Sequence, residues 1–293
     1  MTLIQTLVTP NHIVQVSDRR LTIQDGSVFD DQYNKSVSWC GELIIGFTGI
    51  AFIDRRQKQP VSEWIAEQLW MKSTLQEGID ALRYGAQAAV DKLYGWPDRR
   101  LTIILSGFVN SPTNEHRSPI LVRISNFESE AVRFSVHQNK FFVDFIHPID
   151  PSRSVYLTAG AELSERERRI IHRRVEMVPH EQRDWNRTLR LMVVVQRLVN
   201  DRDGTVGRDA MAVSLPIHPA APGVLLSHIE SPDIETSNSM FSFIPEGDMT
   251  AKRYGPINVC GEWATTDYTS EVLGGNPDNQ SVSVRILKAP PVS

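Results

Sequence analysis

Thr2 carries a hydroxyl, and removal of Met1, which the small side chain of Thr2 permits, would give the same residue a free α-amine. A Thr hydroxyl is a weak nucleophile until a base takes its proton. An α-amine, with an ordinary pKa of about 7.7–8.0, is partly neutral near physiological pH and can be that base, directly or through water. A nearby Lys ammonium would keep the amine's pKa low by like-charge repulsion, and an Asp would hold the Lys in place. Asp18 and Lys35 are the candidates for those two roles. The oxyanion that forms on attack needs a backbone N–H that no side chain screens, and Gly49, at the end of an apolar run, is the candidate donor.

The elements that must position these residues are legible as alternating runs. TLIQTLVT and HIVQVS, joined through Pro10 and Asn11, predict a β-hairpin with Thr2 at its start and Asp18 at its end. Ser36 to Cys40 and Leu43 to Thr48 predict a second hairpin, with Lys35 before it and Gly49 after it. Pro60 to Lys72 has helical spacing, and Thr74 with Glu77 forms a capping box that opens a longer helix ending at Trp96-Pro97. Gly78 and Gly85 inside that helix each cost about 1 kcal/mol relative to Ala, which points to close packing against another element. Strands follow at Leu101 to Gly107, Ile120 to Ser125, Val132 to Val136 and Val155 to Thr158, with a polar loop at Ser111, Pro112 and Asn114. Ser164 and Glu167 open a helix to Met177, a second helix runs from Gln182 to Val199, and Arg208 to Leu215 reads as a strand. This order suits an α+β fold with two sheets packed between helices.

The set of residues resembles the catalytic β subunits of the proteasome and the bacterial proteasome-like peptidase, which are N-terminal threonine hydrolases. The resemblance covers about residues 2 to 216. It rests on Thr2 opening the first strand, Asp18 and Arg20 closing the second, Lys35 after the next loop with roughly one extra residue before it, and Thr48-Gly49 ending the fourth strand. It implies a four-layer α-β-β-α sandwich, with Arg20 bracing Asp18 and with Asp209, in Arg208-Asp209-Ala210, supporting the nucleophile's amine. It further implies hydrolysis of a peptide or small amide substrate through an acyl-enzyme, no cofactor, and assembly as a homo-oligomer. The sequence departs from the family at Ala212 and at Ala161-Glu162, where hydroxyls are usual, and at Leu3 in place of a second Thr. These losses keep open the alternative of a catalytically inactive scaffold or binding protein on the same fold.

At 293 residues with 41% hydrophobic content and a net charge of −4, the chain can bury a large core and presents no globally basic surface for nucleic acid. The expected division is a domain of residues 1–216 and a docked C-terminal β-rich extension of residues 217–293, with strands at Val224 to Ile229, Phe241 to Ile244 and Ser281 to Leu287. Gly274-Gly275-Asn276-Pro277 and Pro290-Pro291 argue instead for a mobile appendage. Cys40 and Cys260 are the only cysteines, so there is no disulfide framework or zinc pattern, and a reducing cytoplasm is expected. No run is long and apolar enough for a membrane span, and no secretory signal opens the chain. The Arg166, Arg168, Arg169, Arg173 and Arg174 series is interleaved with Glu and reads as a solvated helix face or a subunit contact, in preference to a phosphate or RNA surface. The eight His are scattered without metal-ligand spacing, and phosphate-loop, dinucleotide and serine-hydrolase motifs are absent.

Overall fold

The computed structural model describes residues 2–22, 27–110, 117–129, 131–146, 153–179, 182–221, 225–229, 237–246, 253–254, 256–272 and 280–288. Strands β1 (Leu3–Val8) and β2 (His12–Asp18) form the first hairpin, registered from Ile4↔Ser17 to Val8↔Ile13. Both strands are buried on both faces, so their polar alternates need partners inside the protein. Gln5 Nε2 donates to the Met192 carbonyl at 2.8 Å, and Gln15 Nε2 donates to Thr6 Oγ1 at 3.3 Å.

Two short strands, β3 (Leu21–Thr22) and β4 (Val28–Asp30), pair within the polar segment before Lys35. The second hairpin, β5 (Ser36–Trp39) and β6 (Leu43–Gly49), follows. Helix α1 (Val61–Leu69) is shorter than its sequence pattern, because Trp70 leaves the helical backbone at ψ 133° and Met71 follows in the left-handed region at φ +62°. Helix α2 (Leu75–Lys92) opens with the Thr74–Glu77 capping box formed in both directions. A Cβ at Gly78 would overlap the Trp39 ring, which accounts for a glycine inside this helix.

Next come β7 (Leu101–Asn110), β8 (Arg117–Ser125), β9 (Phe142–Phe145) and β10 (Val155–Gly160). The expected strand at Val132 to Val136 is absent. Its alternation has no neighbouring ladder to join, and only an isolated Glu128↔Arg133 bridge forms there. The loop at Ser111, Pro112 and Asn114 lies outside the described residues. Helix α3 (Glu165–Ile171) begins at the Ser164–Glu167 capping box and runs on as a π-helical turn, His172–Glu176. Helix α4 (Trp185–Arg202) is N-capped by Asp184 and leads to β11 (Ala210–Pro216).

Beyond Pro216 lie β12 (Leu225–Ile229), β13 (Ser239–Ile244), β14 (Arg253–Tyr254), β15 (Ile257–Cys260), β16 (Trp263–Val272) and β17 (Gln280–Lys288). The Gly274–Pro277 and Pro290-Pro291 segments fall outside the described residues.

The fold is mixed α+β. Among the described residues, a six-stranded sheet has the order β10-β1-β2-β11-β13-β12. A nine-stranded sheet has the order β14-β16-β15-β5-β6-β7-β8-β9, with β17 on β16. Each sheet therefore takes in strands from beyond Pro216. One apolar cluster joins the larger sheet to α1 and α2 through Trp39, Phe47, Ile65, Leu69 and Leu82. A second joins the smaller sheet to α3 and α4 through Leu3, Val16, Ile171, Leu189 and Val195. A third, with Ile4, Ile44, Ile104, Met211, Phe241 and Phe243, is built from strands of both sheets.

Candidate active site

Thr2 immediately precedes β1 and is 5% exposed. Lys35, just before β5, reaches it: the ammonium donates to Thr2 Oγ1 at 2.7 Å, to Asp18 Oδ2 at 2.9 Å, and to the Arg20 carbonyl. All three ammonium protons thus have acceptors. Lys35 and Asp18 are both fully buried. Asp18 is held by main chain on every side, accepting from Leu3 N at 2.8 Å, Arg20 N at 3.0 Å and Gly207 N at 3.0 Å. Burial drives the Lys35 pKa below its ordinary value, and Asp18 opposes that shift.

The Thr2 main chain is fixed from the opposite side. Its carbonyl accepts from Ala161 N at 2.8 Å and from Thr48 Oγ1 at 3.4 Å. Gly160 packs so closely that a Cβ there would overlap the Thr2 carbonyl oxygen and Thr48 Oγ1, and its φ of +86° also favours glycine. Two charged residues hold the Gly160 peptide. Glu128 Oε1 accepts from Gly160 N at 3.3 Å, while Arg133 donates to the Gly160 carbonyl and pairs with Glu128 at 3.4 Å. Glu128 Oε2 also accepts from Thr102 Oγ1 at 3.1 Å. Burial raises the Glu128 pKa, with the Arg133 charge pulling the other way.

Thr2, Thr48, Gly49 and Gly160 line one cleft of about 1090 Å³, together with Arg20, Arg55, Arg100, Trp96 and Phe127. Gly49 sits at φ +108°, and a Cβ there would strike the Arg100 carbonyl, so the position admits only glycine. The structure therefore brings Thr2 and Asp18 together through Lys35, which contacts both, with Thr48 and Gly49 beside Thr2 in the cleft.

Arg20 and Asp209 have further partners. Arg20 supports Asp18 through its backbone N–H, while its guanidinium turns to Asp31 at 2.6 Å and to the Gly204 carbonyl at 2.7 Å. Asp209 Oδ1 accepts from Glu246 N at 2.9 Å, and Gly207, two residues before it, donates its N–H to Asp18. Sequence reasoning missed Glu128, Arg133 and Gly160. A turn glycine next to Ala161 was the only local signal, and nothing in the sequence ties it to residues about 30 positions earlier.

The fold and site together describe an α+β protein with a buried Thr–Lys–Asp cluster opening into a cleft. Among solved structures, the chain is similar to Anbu (ancestral beta-subunit) from Yersinia bercovieri, at 12% identity and a TM-score of 0.47, covering 73% of this chain and 81% of that one. It is also similar to an Anbu (Gly-1) mutant from Hyphomicrobium sp. strain MC1, at 15% identity and a TM-score of 0.48, covering 73% and 80% respectively. No family model matches the chain, and no curated protein does. These findings correct the family resemblance drawn from the sequence. The solved structures are Anbu proteins, not the proteasome's catalytic β subunits or the bacterial proteasome-like peptidase. Among the described residues no helix is long and apolar enough to cross a membrane, and no three His, Cys, Asp or Glu are grouped to hold a metal ion.

Proposed function

We propose that this chain is an N-terminal threonine hydrolase that cleaves a peptide or other amide bond through an acyl-enzyme, once Met1 has been removed. The observation that carries this reading is the buried Lys35 ammonium donating to Thr2 Oγ1 at 2.7 Å at the wall of a cleft. In the mechanism, Thr2 Oγ1 attacks the substrate carbonyl and the Thr2 α-amine accepts the proton. The Gly49 N–H stabilises the oxyanion, the amine returns a proton to the leaving nitrogen, and water then releases the acyl group. The positive charge of Lys35, held by Asp18, disfavours protonation of the neighbouring amine and favours negative charge on Oγ1. The three apolar clusters support an α-β-β-α arrangement of layers, in which strands from residues 217–293 complete the two sheets begun within residues 1–216.

A second reading, a scaffold or binding protein without turnover, draws on Ala161 and Ala212. Both are buried in the apolar cluster that includes α4, and neither can offer a hydroxyl. One experiment separates the readings. The intact mass of the purified full chain reports whether Met1 is removed, and an α′,β′-epoxyketone, which needs both hydroxyl and free amine to close its adduct, is then mapped by peptide mass spectrometry. Modification at Thr2, retained in Thr2→Ser and lost in Thr2→Ala, supports hydrolysis. Retained Met1, or a processed chain that forms no adduct at Thr2, defeats it.

A further inference from the structure

Away from the cleft, the two cysteines of the chain come together. Strands β5 and β15 run parallel, registered Ile257↔Val37, Asn258↔Ser38 and Val259↔Trp39. Cys40 follows Trp39 in the turn just after β5, Cys260 follows Val259 as the last residue of β15, and Cys40 N donates to the Val259 carbonyl at 2.7 Å, which holds the two segments together at that point. Neighbouring strands lie about 4.8 Å apart, inside the roughly 4.4–6.8 Å between Cα atoms that a disulfide spans. Cys40 adopts φ +53°, and burial together with the neighbouring Cys260 thiol raises its pKa. Cys40 is half-buried and Cys260 is exposed, and both are reduced in this structure.

We propose that Cys40 and Cys260 form a thiol–disulfide modification site that locks β15 onto β5, with a low-molecular-weight disulfide of the glutathione class as the oxidant. Cys260, the exposed sulfur, is the one a dissolved disulfide reaches first. Its thiolate attacks one sulfur of the small molecule, the S–S bond breaks, and one small thiol leaves with a proton from solvent. Cys40 then gives up its proton and attacks Cys260 Sγ, expelling the second small thiol. Two protein thiols are oxidised and one small disulfide is reduced to two thiols. Burial and the neighbouring thiol push Cys40 up to about 12, which suits it to the resolving role and not to first attack.

The consequence reaches the candidate active site through the strand. β5 begins at Ser36, directly after Lys35, so the bond would tether the segment carrying Lys35 to the hairpin of β15 and β16. It would also close a loop of most of the chain, the case in which a cross-link restricts the unfolded state most.

The test uses the full chain equilibrated in graded ratios of oxidised to reduced glutathione, acid-quenched, then alkylated under denaturing conditions and weighed intact. The expected product has lost two hydrogens, takes no alkylating reagent, yields one peptide pair joining Cys40 to Cys260, and reverts on reduction. Its thermal transition rises by several degrees above that of the reduced chain. Cys40→Ser should stop at the mixed disulfide on Cys260. The proposal is overturned if both thiols still alkylate at the most oxidising ratio, if the wild-type chain halts as a glutathione adduct, or if the oxidised product is a dimer linked between chains. These outcomes are read on the wild-type protein, so they stand even where a serine variant folds poorly.

Discussion

Lys35 has three donors and three fixed acceptors, and its burial makes each of them count. The Asp18 carboxylate beside it is equally buried, so losing the ammonium would strand a charge in the interior. Lys35→Met is therefore expected to lower the free energy of unfolding by ~3–5 kcal/mol, as well as to abolish epoxyketone labelling at Thr2. The double variant Asp18→Asn/Lys35→Met should recover part of that stability without recovering labelling. Denaturant unfolding at neutral pH measures both effects, and wild-type stability in the single variant would show that the pair matters only to chemistry. Spacing alone presented Lys35 as a tuning charge, and burial adds a structural duty that no spacing reveals. Thr2, Asp18 and Lys35 were legible because each stands at the end of a local alternating run. Asp209 was carried over by its tripeptide, and its Oδ1 accepts from Glu246 N.

At the scale of elements, the approach of β10 to β1 decides how Thr2 is held, and Glu128 with Arg133 governs the last residue of β10. The Gly160 peptide is clamped at its N–H by Glu128 and at its carbonyl by Arg133, and Ala161 N then reaches the Thr2 carbonyl. Glu128→Ala should slow labelling of Thr2 by about tenfold or more, the scale of one hydrogen bond to a charged group. The Glu128→Gln variant, which keeps an acceptor oxygen for Gly160 N, should regain part of the rate. Equal rates in all three proteins would sink the clamp.

His12, at the start of β2, makes the other testable junction. Its Nε2 lies 2.5 Å from Ser214 Oγ on β11, and its ring stacks on Trp185 of α4 at 4.2 Å. Burial takes its pKa from an ordinary 6.5 down to about 3, so the folded state prefers the neutral ring. The stability tied to that preference is full above pH 6.5 and is lost as pH falls toward the folded value, amounting to about 2 kcal/mol by pH 5. His12→Phe should show a shallower fall in unfolding free energy between pH 7 and pH 5, and parallel curves for the two proteins would refute the assignment. Both capping boxes and both hairpins were legible because their signals are local. Strands β15 and β16 were not, since a parallel pairing with β5 more than 200 residues away leaves no local mark.

At the scale of the whole molecule, residues beyond Pro216 supply strands to both sheets, and the side chains of β13 lie inside the core. β13 pairs with β11 from Ala210↔Ile244 to Ser214↔Met240, and Ser239 Oγ donates to the Gly41 carbonyl at 3.1 Å. The alternation of Phe241-Ser242-Phe243-Ile244 was readable as a strand with one buried face. The structure buries both faces, because Ser239 and Ser242 are covered as well. Met240, Phe241, Phe243 and Ile244 are all buried, and returning four such side chains to water costs on the order of 8 kcal/mol. That is comparable to the roughly 5–15 kcal/mol by which a native protein exceeds its unfolded chain. Deletion would also bare Met211 and Val213 on β11 and leave that strand as an unpaired edge. A chain ended at Pro216 is therefore expected to aggregate or to melt without a cooperative transition, and not to behave as a domain that has shed an appendage. Calorimetry and light scattering on the truncated chain decide the matter. A monomer melting cooperatively within a few degrees of the full chain would show that the extension only decorates a self-sufficient fold.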